Sequence, residues 1–332
     1  MTSNTTVRLA KRPTGMVTAD CFTTATEPLA APGPGEVQVR IDYISLDPAM
    51  RGWLNEGKSY IPPVAIGEVM RAGAVGEVLA SNAEGFAPGD FVSAAMGVQS
   101  HYTGTVVGMT KIDPALAPLP RYLGALGMPG MTAYFGLLGT GAFQDGETVV
   151  VSGAGGAVGA LVGQIAKLKG GRVIGIAGGP DKCRYCIEEL GFDGCIDYKS
   201  ENIDARLREL IPHGLDVYFD NVGGEILETC MNHLRPKARV VICGAISGYN
   251  DFTKITGPRN YLNLLVYNAR MEGFVVFNFA DRYAEGMAAM AGWISQGKVK
   301  GREDIQQGLE RFPEIFNLLF TGANAGKLVL KV

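Results

Sequence analysis

A glycine-rich stretch near the middle of the chain has the composition of a phosphate-binding turn. Residues 152–159 read SGAGGAVG and separate an apolar, strand-like run from a helix-like one. Glycines in such a turn let the backbone approach a pyrophosphate, which then sits at the free N–H groups of a helix N-terminus. The spacing is not the common G-x-G-x-x-G but G-x-x-G-x-x-G, through Gly153, Gly156 and Gly159. We predict a dinucleotide site here; the alternative is a glycine-rich turn without a ligand.

The second strand of this unit favours NADP over NAD. An NAD site usually presents Asp or Glu at the end of that strand, bonded to the ribose 2′-hydroxyl. Residues 176–180 read IAGGP and contain no acid. Lys182 follows and could pair with a 2′-phosphate, although an ordinary exposed helix residue is the alternative. Asp181 is expected to cap the next helix.

The sequence lacks the ligand spacing of a metal site. Cys183 and Cys186 form its one C-x-x-C pair, inside a predicted helix, without a second pair at zinc spacing. The histidines, His101, His213 and His233, are far apart in sequence. We therefore expect no metal and interpret the two cysteines as packing or surface residues.

Without a metal, a tyrosine is the natural group to polarise a substrate carbonyl. A phenol can donate a hydrogen bond to an oxygen on which negative charge develops. Tyr249 follows a predicted central strand, at the carboxyl end where doubly wound sheets bind ligands. Tyr60 lies in a loop of the N-terminal region. For both, the alternative is an ordinary amphipathic surface aromatic.

The elements that must position these residues fall into two patterns. Before residue 120, short β-type runs are separated by Gly and Pro, and residues 36–46 alternate like a half-buried strand. From Glu147 onward, strands alternate with helices, which indicates a parallel, doubly wound sheet. Residues 271–279 are predicted to be one of its strands, and residues 326–332, GKLVLKV, form a last strand.

Charge and composition exclude several classes of partner. The 332 residues carry a net charge of −3, so no basic field is available for nucleic acid. The N-terminal residues lack a signal-peptide layout, and the charge-poor runs 122–144 and 148–166 are interrupted by glycine, so we expect no membrane span. Six scattered cysteines suggest free thiols and a cytoplasmic location.

These motifs together resemble a known family. LDPAMRGW, GMPGMTAYFGLL, the glycine-rich turn, YFDNVGG, CGAISGYN, RMEGFVVF and GANAGK are similar to segments of the zinc-independent medium-chain dehydrogenases/reductases. That group includes prostaglandin reductase (leukotriene B4 12-hydroxydehydrogenase), plant double-bond reductases and curcumin reductase. The resemblance covers nearly the whole chain. It implies an α/β fold, with a GroES-like β-rich substrate domain (residues 1–122 and 300–332) around a Rossmann NADP-binding domain (residues 123–299).

The resemblance also implies a set of site residues. Lys182 and Tyr198 would hold the 2′-phosphate, Asn221 would lie on the nicotinamide side, and Asn324 would reach in from the returning segment. Tyr249 matches a tyrosine that bonds the substrate carbonyl, and Tyr60 matches a second pocket tyrosine. The full set of implied cofactor contacts is Gly155, Gly156, Ala157, Val158, Lys182, Tyr198, Asn221, Cys243, Gly244, Ala245, Ile246, Ser247, Tyr249, Phe274, Val275, Val276 and Asn324.

The function implied is NADPH-dependent reduction of the C=C bond of an α,β-unsaturated ketone or aldehyde, by hydride transfer to the β-carbon. Two alternatives stay open: an NADPH quinone oxidoreductase of the same fold, and an NADPH-binding protein without catalysis. By analogy to the family we expect a homodimer, paired through a strand at residues 273–278.

Overall fold

The computed structural model describes residues 3–57 and 59–332 of the chain. The chain divides into two compact units. One comprises the residues up to Leu123 together with Glu303–Val332, and the other is Gly124–Arg302. Their strands, in chain order, are β1 Ser3–Leu9, β2 Phe22–Pro28, β3 Glu36–Ser45, β4 Ala74–Ser81, β5 Phe91–Ala94, β6 His101–Thr105, β7 Thr110–Ile112, β8 Thr148–Ser152, β9 Arg172–Ala177, β10 Gly194–Asp197, β11 Leu215–Asp220, β12 Leu234–Ile242, β13 Arg270–Gly273, β14 Glu303–Gln307 and β15 Lys327–Lys331.

The helices lie mostly in the second unit. Two of them, α2 and α4, continue as wider π-type turns over Gly136–Thr140 and Tyr185–Glu189. The α-helices are α1 Ala49–Gly52, α2 Met128–Phe135, α3 Gly159–Leu168, α4 Pro180–Arg184, α5 Ile203–Leu210, α6 Gly224–Met231, α7 Leu262–Val266, α8 Tyr283–Ser295 and α9 Phe312–Thr321. None of the helices in the described part of the chain is long and apolar enough to cross a membrane.

The first unit is a mixed sheet with the order β14-β15-β3-β4-β5-β7, in which β6 also pairs with β3. Alternate residues of β3, namely Val37, Val39 and Ile41, are buried, as the sequence alternation predicts. The C-terminal strand β15 lies between β14 and β3, antiparallel to β3. The last strand of the chain therefore completes a sheet begun near the N-terminus.

A buried ion pair fixes that returning strand. Lys327 is 3% exposed, and its Nζ donates to Asp47 Oδ1 at 2.5 Å and to the Leu46 carbonyl at 2.9 Å. Ser45 Oγ donates to the other carboxylate oxygen of Asp47. Burial lowers the pKa of Lys327, which the adjacent carboxylate opposes. The charges thus compensate each other inside the sheet.

The second unit is a parallel sheet with the order β10-β9-β8-β11-β12-β13. Two halves wound outward from β8 and β11 give the doubly wound arrangement, so the predicted fold class is confirmed. Helix α3 packs against β8 and β9 and is buried over almost its whole length, which explains why its sequence lacks charge before Lys167.

Two local predictions for this unit are wrong. Helix α4 is capped by Gly179, and Asp181 lies inside its first turn, paired with Arg184. Pro180 sets this start, because proline is favoured at the first helical position. The predicted strand over residues 271–279 stops at Gly273, and Val276–Arg282 forms a 3₁₀ turn. The aromatic residues there pack against α2 instead of continuing the ladder.

Candidate active site

The glycine-rich turn joins β8 to α3 through two close backbone approaches. Gly153 has a φ of +63°, a left-handed conformation that favours glycine. A β-carbon on Gly159 would lie 2.4 Å from the Gly153 carbonyl oxygen, so the helix start fits only without a side chain. The N–H of Gly156 donates to the same oxygen at 2.9 Å. The turn is therefore tight enough to bring N–H groups at the α3 N-terminus to a pyrophosphate.

At the end of β9, Lys182 and Tyr198 lie over two small residues. A β-carbon on Gly155 would lie 3.3 Å from Lys182 Cβ, so the lysine stem runs along the glycine-rich turn. A β-carbon on Gly178 would lie 2.9 Å from Tyr198 Cε1 and 3.1 Å from Lys199 Cε. A phenol and two lysines thus border the loop after the second strand, which suits a 2′-phosphate. Sequence reasoning missed Lys199, which directly follows Tyr198.

Asp197, at the end of β10, holds that loop in shape. Its carboxylate accepts from Gly179 N at 2.7 Å, Ser200 Oγ at 2.8 Å and Lys199 N at 3.0 Å. These bonds, that of Gly179 first, lower the pKa of Asp197. This carboxylate is therefore satisfied by backbone and hydroxyl donors. Sequence reasoning missed this role; the signal was an acid at the end of the third strand.

Asn221 and Ser152 join the ends of β8 and β11. Asn221 Nδ2 donates to the Ser152 carbonyl at 2.7 Å, and Asn221 N donates to Ser152 Oγ at 2.9 Å. A β-carbon on Gly153 would lie 3.4 Å from Asn221 Cβ. The structure thus brings Asn221 beside the glycine-rich turn, with its amide N–H directed to the backbone of β8.

Beneath these residues lies Asp220, a fully buried carboxylate that sequence reasoning did not assign. Its Oδ1 accepts from Tyr218 OH at 2.8 Å, Ser152 Oγ at 2.9 Å and the N–H groups of Val222 and Gly223 at 3.0 Å. Burial raises the pKa of Asp220, and the hydrogen bonds oppose that rise. The carboxylate fixes the turn that follows β11, within YFDNVGG.

Tyr249 lies at the carboxyl end of β12, as predicted. Its hydroxyl oxygen accepts from Ala245 N at 3.1 Å, and a β-carbon on Gly244 would lie only 2.9 Å from that oxygen. Its ring stacks on Phe252, with centroids 6.2 Å apart. The phenol head is therefore held over the backbone that follows β12.

The segment between β12 and Tyr249 is bonded to the segment after β11. Cys243 N and Gly244 N both donate to the Asp220 carbonyl, at 2.9 and 3.1 Å. Ile246 N donates to the Asn221 carbonyl at 3.3 Å, and Ser247 Oγ donates to the Val222 carbonyl at 2.6 Å. Burial raises the pKa of Cys243 to about 12, so its thiol stays protonated. The ends of β8, β11 and β12 thus form one bonded crevice, where doubly wound sheets bind ligands.

Comparison with known proteins gives the family. A model described as the N-terminal domain of oxidoreductase matches residues 5–112, and one described as zinc-binding dehydrogenase matches residues 157–292. The NADPH-dependent curcumin reductase of Escherichia coli is 40% identical over 98% of this chain and 95% of its own length. Prostaglandin reductase 1 of Rattus norvegicus is 38% identical, over 97% of each chain. The chain belongs to the zinc-independent medium-chain dehydrogenase/reductase family.

A solved structure of this family supports the same assignment. The crystal structure of CurA from Vibrio vulnificus in complex with NADPH is 42% identical, covers 99% of each chain and has a TM-score of 0.94. The predicted family and the predicted oxidoreductase class are confirmed. The prediction of NADP rather than NAD agrees with the descriptions of the Escherichia coli curcumin reductase and of CurA, which both mention NADPH.

One of the two matched family descriptions mentions zinc, which raises the question of whether side chains of this chain could bind a metal ion. Within residues 3–57 and 59–332, no three His, Cys, Asp or Glu side chains come together in an arrangement that could hold a metal ion. At the carboxyl end of β12 the described chain presents a phenol, that of Tyr249.

The segment after β13 carries three further predicted contacts. Phe274 packs edge-on against Phe219, and Val276 is buried. The Val275 carbonyl accepts from Asn278 N at 3.0 Å as the 3₁₀ turn begins. Whether the backbone of this segment contacts a nicotinamide stays a prediction.

Two predicted site residues belong to the other unit. Tyr60 is 54% exposed, and its hydroxyl oxygen accepts from Trp53 Nε1 at 3.4 Å. Asn324 is 9% exposed, and its Nδ2 donates to the Gly326 carbonyl at 2.9 Å, which shapes the loop before β15. Their roles toward cofactor and substrate stay predictions.

Proposed function

We propose that this oxidoreductase uses NADPH to reduce the carbon–carbon double bond of α,β-unsaturated ketones or aldehydes. The observation that carries the proposal is the Tyr249 hydroxyl, held 3.1 Å from Ala245 N at the carboxyl end of β12. A phenol there is the kind of donor that a developing enolate oxygen requires. The name of the Escherichia coli relative, a curcumin reductase, supports a conjugated carbonyl substrate.

We propose that the cofactor is held by the set of residues predicted above, with Lys182 and Tyr198 at the 2′-phosphate. The lysine stem along Gly155 and the phenol over Gly178 support this, since both side chains border the glycine-rich turn and the loop after β9. Asp197 supports the site by holding the loop in shape, because its oxygens accept the Gly179, Lys199 and Ser200 donors. Bound NADPH would supply the hydride that reaches the β-carbon of the substrate.

Tyr249 then has one task in the reaction. As charge moves to the carbonyl oxygen, its O–H donates to that oxygen and stabilises the enolate. The Ala245 N–H already donates a hydrogen bond to the phenol oxygen. Such a bond polarises the O–H group and strengthens it as a donor. The proton that finally reaches the α-carbon comes from Tyr249 or from water.

We propose Tyr60 as a second residue of the substrate pocket and Asn324 as a cofactor contact.

We propose a GroES-like substrate domain over residues 1–122 and 300–332 and a Rossmann domain over residues 123–299. We propose a homodimer, supported by the exposed apolar residues Leu262, Leu265 and Val266 on α7 and by the position of β13 at the edge of its sheet. Six free thiols support a cytoplasmic location.

The test is the loss of reduced-nicotinamide absorbance with NADPH and with NADH, using a linear enone, a diaryl enone and a quinone. We expect fast oxidation of NADPH with an enone and little with NADH. Activity with the quinone alone would replace the double-bond assignment with that of a quinone oxidoreductase. Tight NADPH binding without turnover would indicate a non-catalytic protein.

A further inference from the structure

A short 3₁₀ turn after β12, Phe252–Lys254, carries large apolar side chains to the protein surface. Phe252 is 48% exposed, and Ile255, which ends the turn, is 47% exposed. The turn follows Tyr249 closely in sequence and belongs to the same unit, Gly124–Arg302. Scattered exposed apolar residues are ordinary on a protein surface, whereas adjoining ones beside a functional group mark a binding surface.

The ring of Phe252 lies against the ring of the candidate catalytic phenol. The ring centroids of Phe252 and Tyr249 are 6.2 Å apart, and the two planes are inclined by 23°. This is an offset stack, which leaves much of each ring uncovered by the other. Since nearly half of the Phe252 side chain stays exposed, its uncovered part forms an aromatic surface beside Tyr249.

Hydrogen bonds and one close contact hold this turn in place. The Asp251 carboxylate accepts from Thr253 N at 3.2 Å and from Thr253 Oγ1 at 2.6 Å. Asp251 N donates to the Gly248 carbonyl at 3.1 Å, and Ile255 N donates to the Phe252 carbonyl at 3.3 Å. A β-carbon on Gly248 would lie 2.4 Å from Ile255 Cγ1, so Ile255 packs on the residue before the phenol. The aromatic surface is therefore formed before any ligand binds.

We propose that Phe252 binds an aryl group attached to the carbonyl carbon of the substrate, and so selects aryl ketones among the α,β-unsaturated carbonyl compounds. The inference rests on the proposed function, which places the carbonyl oxygen at the Tyr249 hydroxyl. A substituent on the carbonyl carbon is two bonds from that oxygen, whereas a substituent on the β-carbon is four bonds away. The carbonyl-side substituent therefore lies nearer to the ring that stacks on Tyr249.

An aromatic substituent suits this surface better than a saturated ring of the same size. Both kinds of ring bury apolar area against Phe252 and Ile255. Only the aromatic ring can also stack on Phe252 or meet it edge to face, which adds to the affinity that burial gives. The gain expected from one such aromatic pair is about three- to tenfold in affinity.

The first test compares three enones in the wild type and in Phe252→Leu, which keeps apolar bulk but removes the aromatic ring. Phenyl propenyl ketone has its ring on the carbonyl carbon, its isomer styryl methyl ketone has the ring on the β-carbon, and cyclohexyl propenyl ketone has a saturated ring. With NADPH, kcat/KM should fall about three- to tenfold for phenyl propenyl ketone and change less than about 1.5-fold for the other two. Tyr261→Leu, at an exposed tyrosine of the same unit, is the control and should change none of the three.

Two outcomes of this test would overturn the inference while leaving the proposed function intact. An unchanged kcat/KM for phenyl propenyl ketone, or a loss confined to styryl methyl ketone, would mean that Phe252 does not bind a carbonyl-side aryl group. Equal losses for all three ketones would mean that Phe252 only holds Tyr249 in position.

The second readout requires no turnover. The saturated product, phenyl propyl ketone, is titrated by calorimetry into the protein loaded with NADP⁺. We expect its Kd to rise about three- to tenfold in Phe252→Leu and to stay unchanged in Tyr261→Leu. The same Kd in the wild type and in Phe252→Leu would contradict the inference. If the wild type reduces none of the ketones, the proposed function is wrong, and the titration still decides whether Phe252 binds an aryl ketone.

Discussion

The side chain of Lys182 is positioned by the absence of one at Gly155. A β-carbon on Gly155 would lie 3.3 Å from Lys182 Cβ and 3.4 Å from its Cγ and Cδ. A lysine stem packed in this way loses little further freedom when its ammonium binds a phosphate. The first and second βα turns therefore act together on one ligand.

Replacing Lys182 with Ala should reduce affinity for NADPH and leave affinity for NADH nearly unchanged. A hydrogen bond to a charged group contributes about 1.5–3 kcal/mol, so the Kd for NADPH should rise by about 10- to 100-fold. Fluorescence titration with both cofactors measures this. Arg184→Ala is the matched control, since Arg184 is an exposed cation on the same helix, paired with Asp181. Equal losses for NADPH and NADH would contradict the assignment.

Replacing Tyr249 with Phe should lower kcat on an enone and change NADPH affinity far less, because phenylalanine keeps the ring and the backbone at this position. Loss of one donor to a developing oxyanion costs about 2.7–4 kcal/mol, or about 100- to 1000-fold in rate. Steady-state kinetics and a binding titration together separate the two effects. Tyr261→Phe is the control, because Tyr261 is an exposed tyrosine of the same unit. Full turnover by the Tyr249 variant would remove this residue from the mechanism.

Replacing Gly244 with Ala should act through Tyr249. The added β-carbon would lie 2.9 Å from the phenol oxygen, which must then leave the Ala245 N–H. We expect kcat to fall by about tenfold or more, as for loss of a positioned donor. In a double-mutant cycle the same substitution should have little effect on Tyr249→Phe, which lacks that oxygen. Additive losses would show that Gly244 acts independently.

Replacing Asp197 with Asn should destabilise the protein in a pH-dependent way. Hydrogen bonds, that from Gly179 first, lower the pKa of Asp197 in the folded state. Its stabilising contribution is therefore present above its unfolded pKa of about 3.9 and is lost as the pH falls through the folded pKa. Urea unfolding should show a lower midpoint for the variant near pH 7 and a smaller difference near pH 3. Asp281→Asn serves as control, and a difference that stays constant with pH would refute the charge argument.

Local patterns were sufficient to predict the elements that depend on local chemistry. The turn at residues 152–159, the parallel sheet and the last strand follow from glycine spacing, alternation and runs of apolar residues. The position of Tyr249 could be predicted because doubly wound sheets bind their ligands at the carboxyl ends of the parallel strands. These features need no knowledge of which distant residues meet.

Features that depend on distant partners could not be predicted. Cys195 finds room for its sulfur only because β10 pairs with β9 in a register that places Gly175 beside it. Asp220 looks like one more polar residue after a strand until Tyr218 and Ser152 are seen to donate to it. The strand predicted over residues 271–279 stops at Gly273 for the same reason, since aromatic packing on α2 overrides a β-type sequence.

The buried pair of Lys327 and Asp47 has a consequence for synthesis. β15 leaves the ribosome after every other strand of its sheet, yet it lies between β14 and β3 and carries the cation that Asp47 faces. Residues 124–302 can fold while the chain is still growing, whereas the unit that begins at the N-terminus must wait with an exposed sheet edge and an unpaired carboxylate. Removal of β15 should thus impair the unit that contains β3 more than the unit formed by residues 124–302.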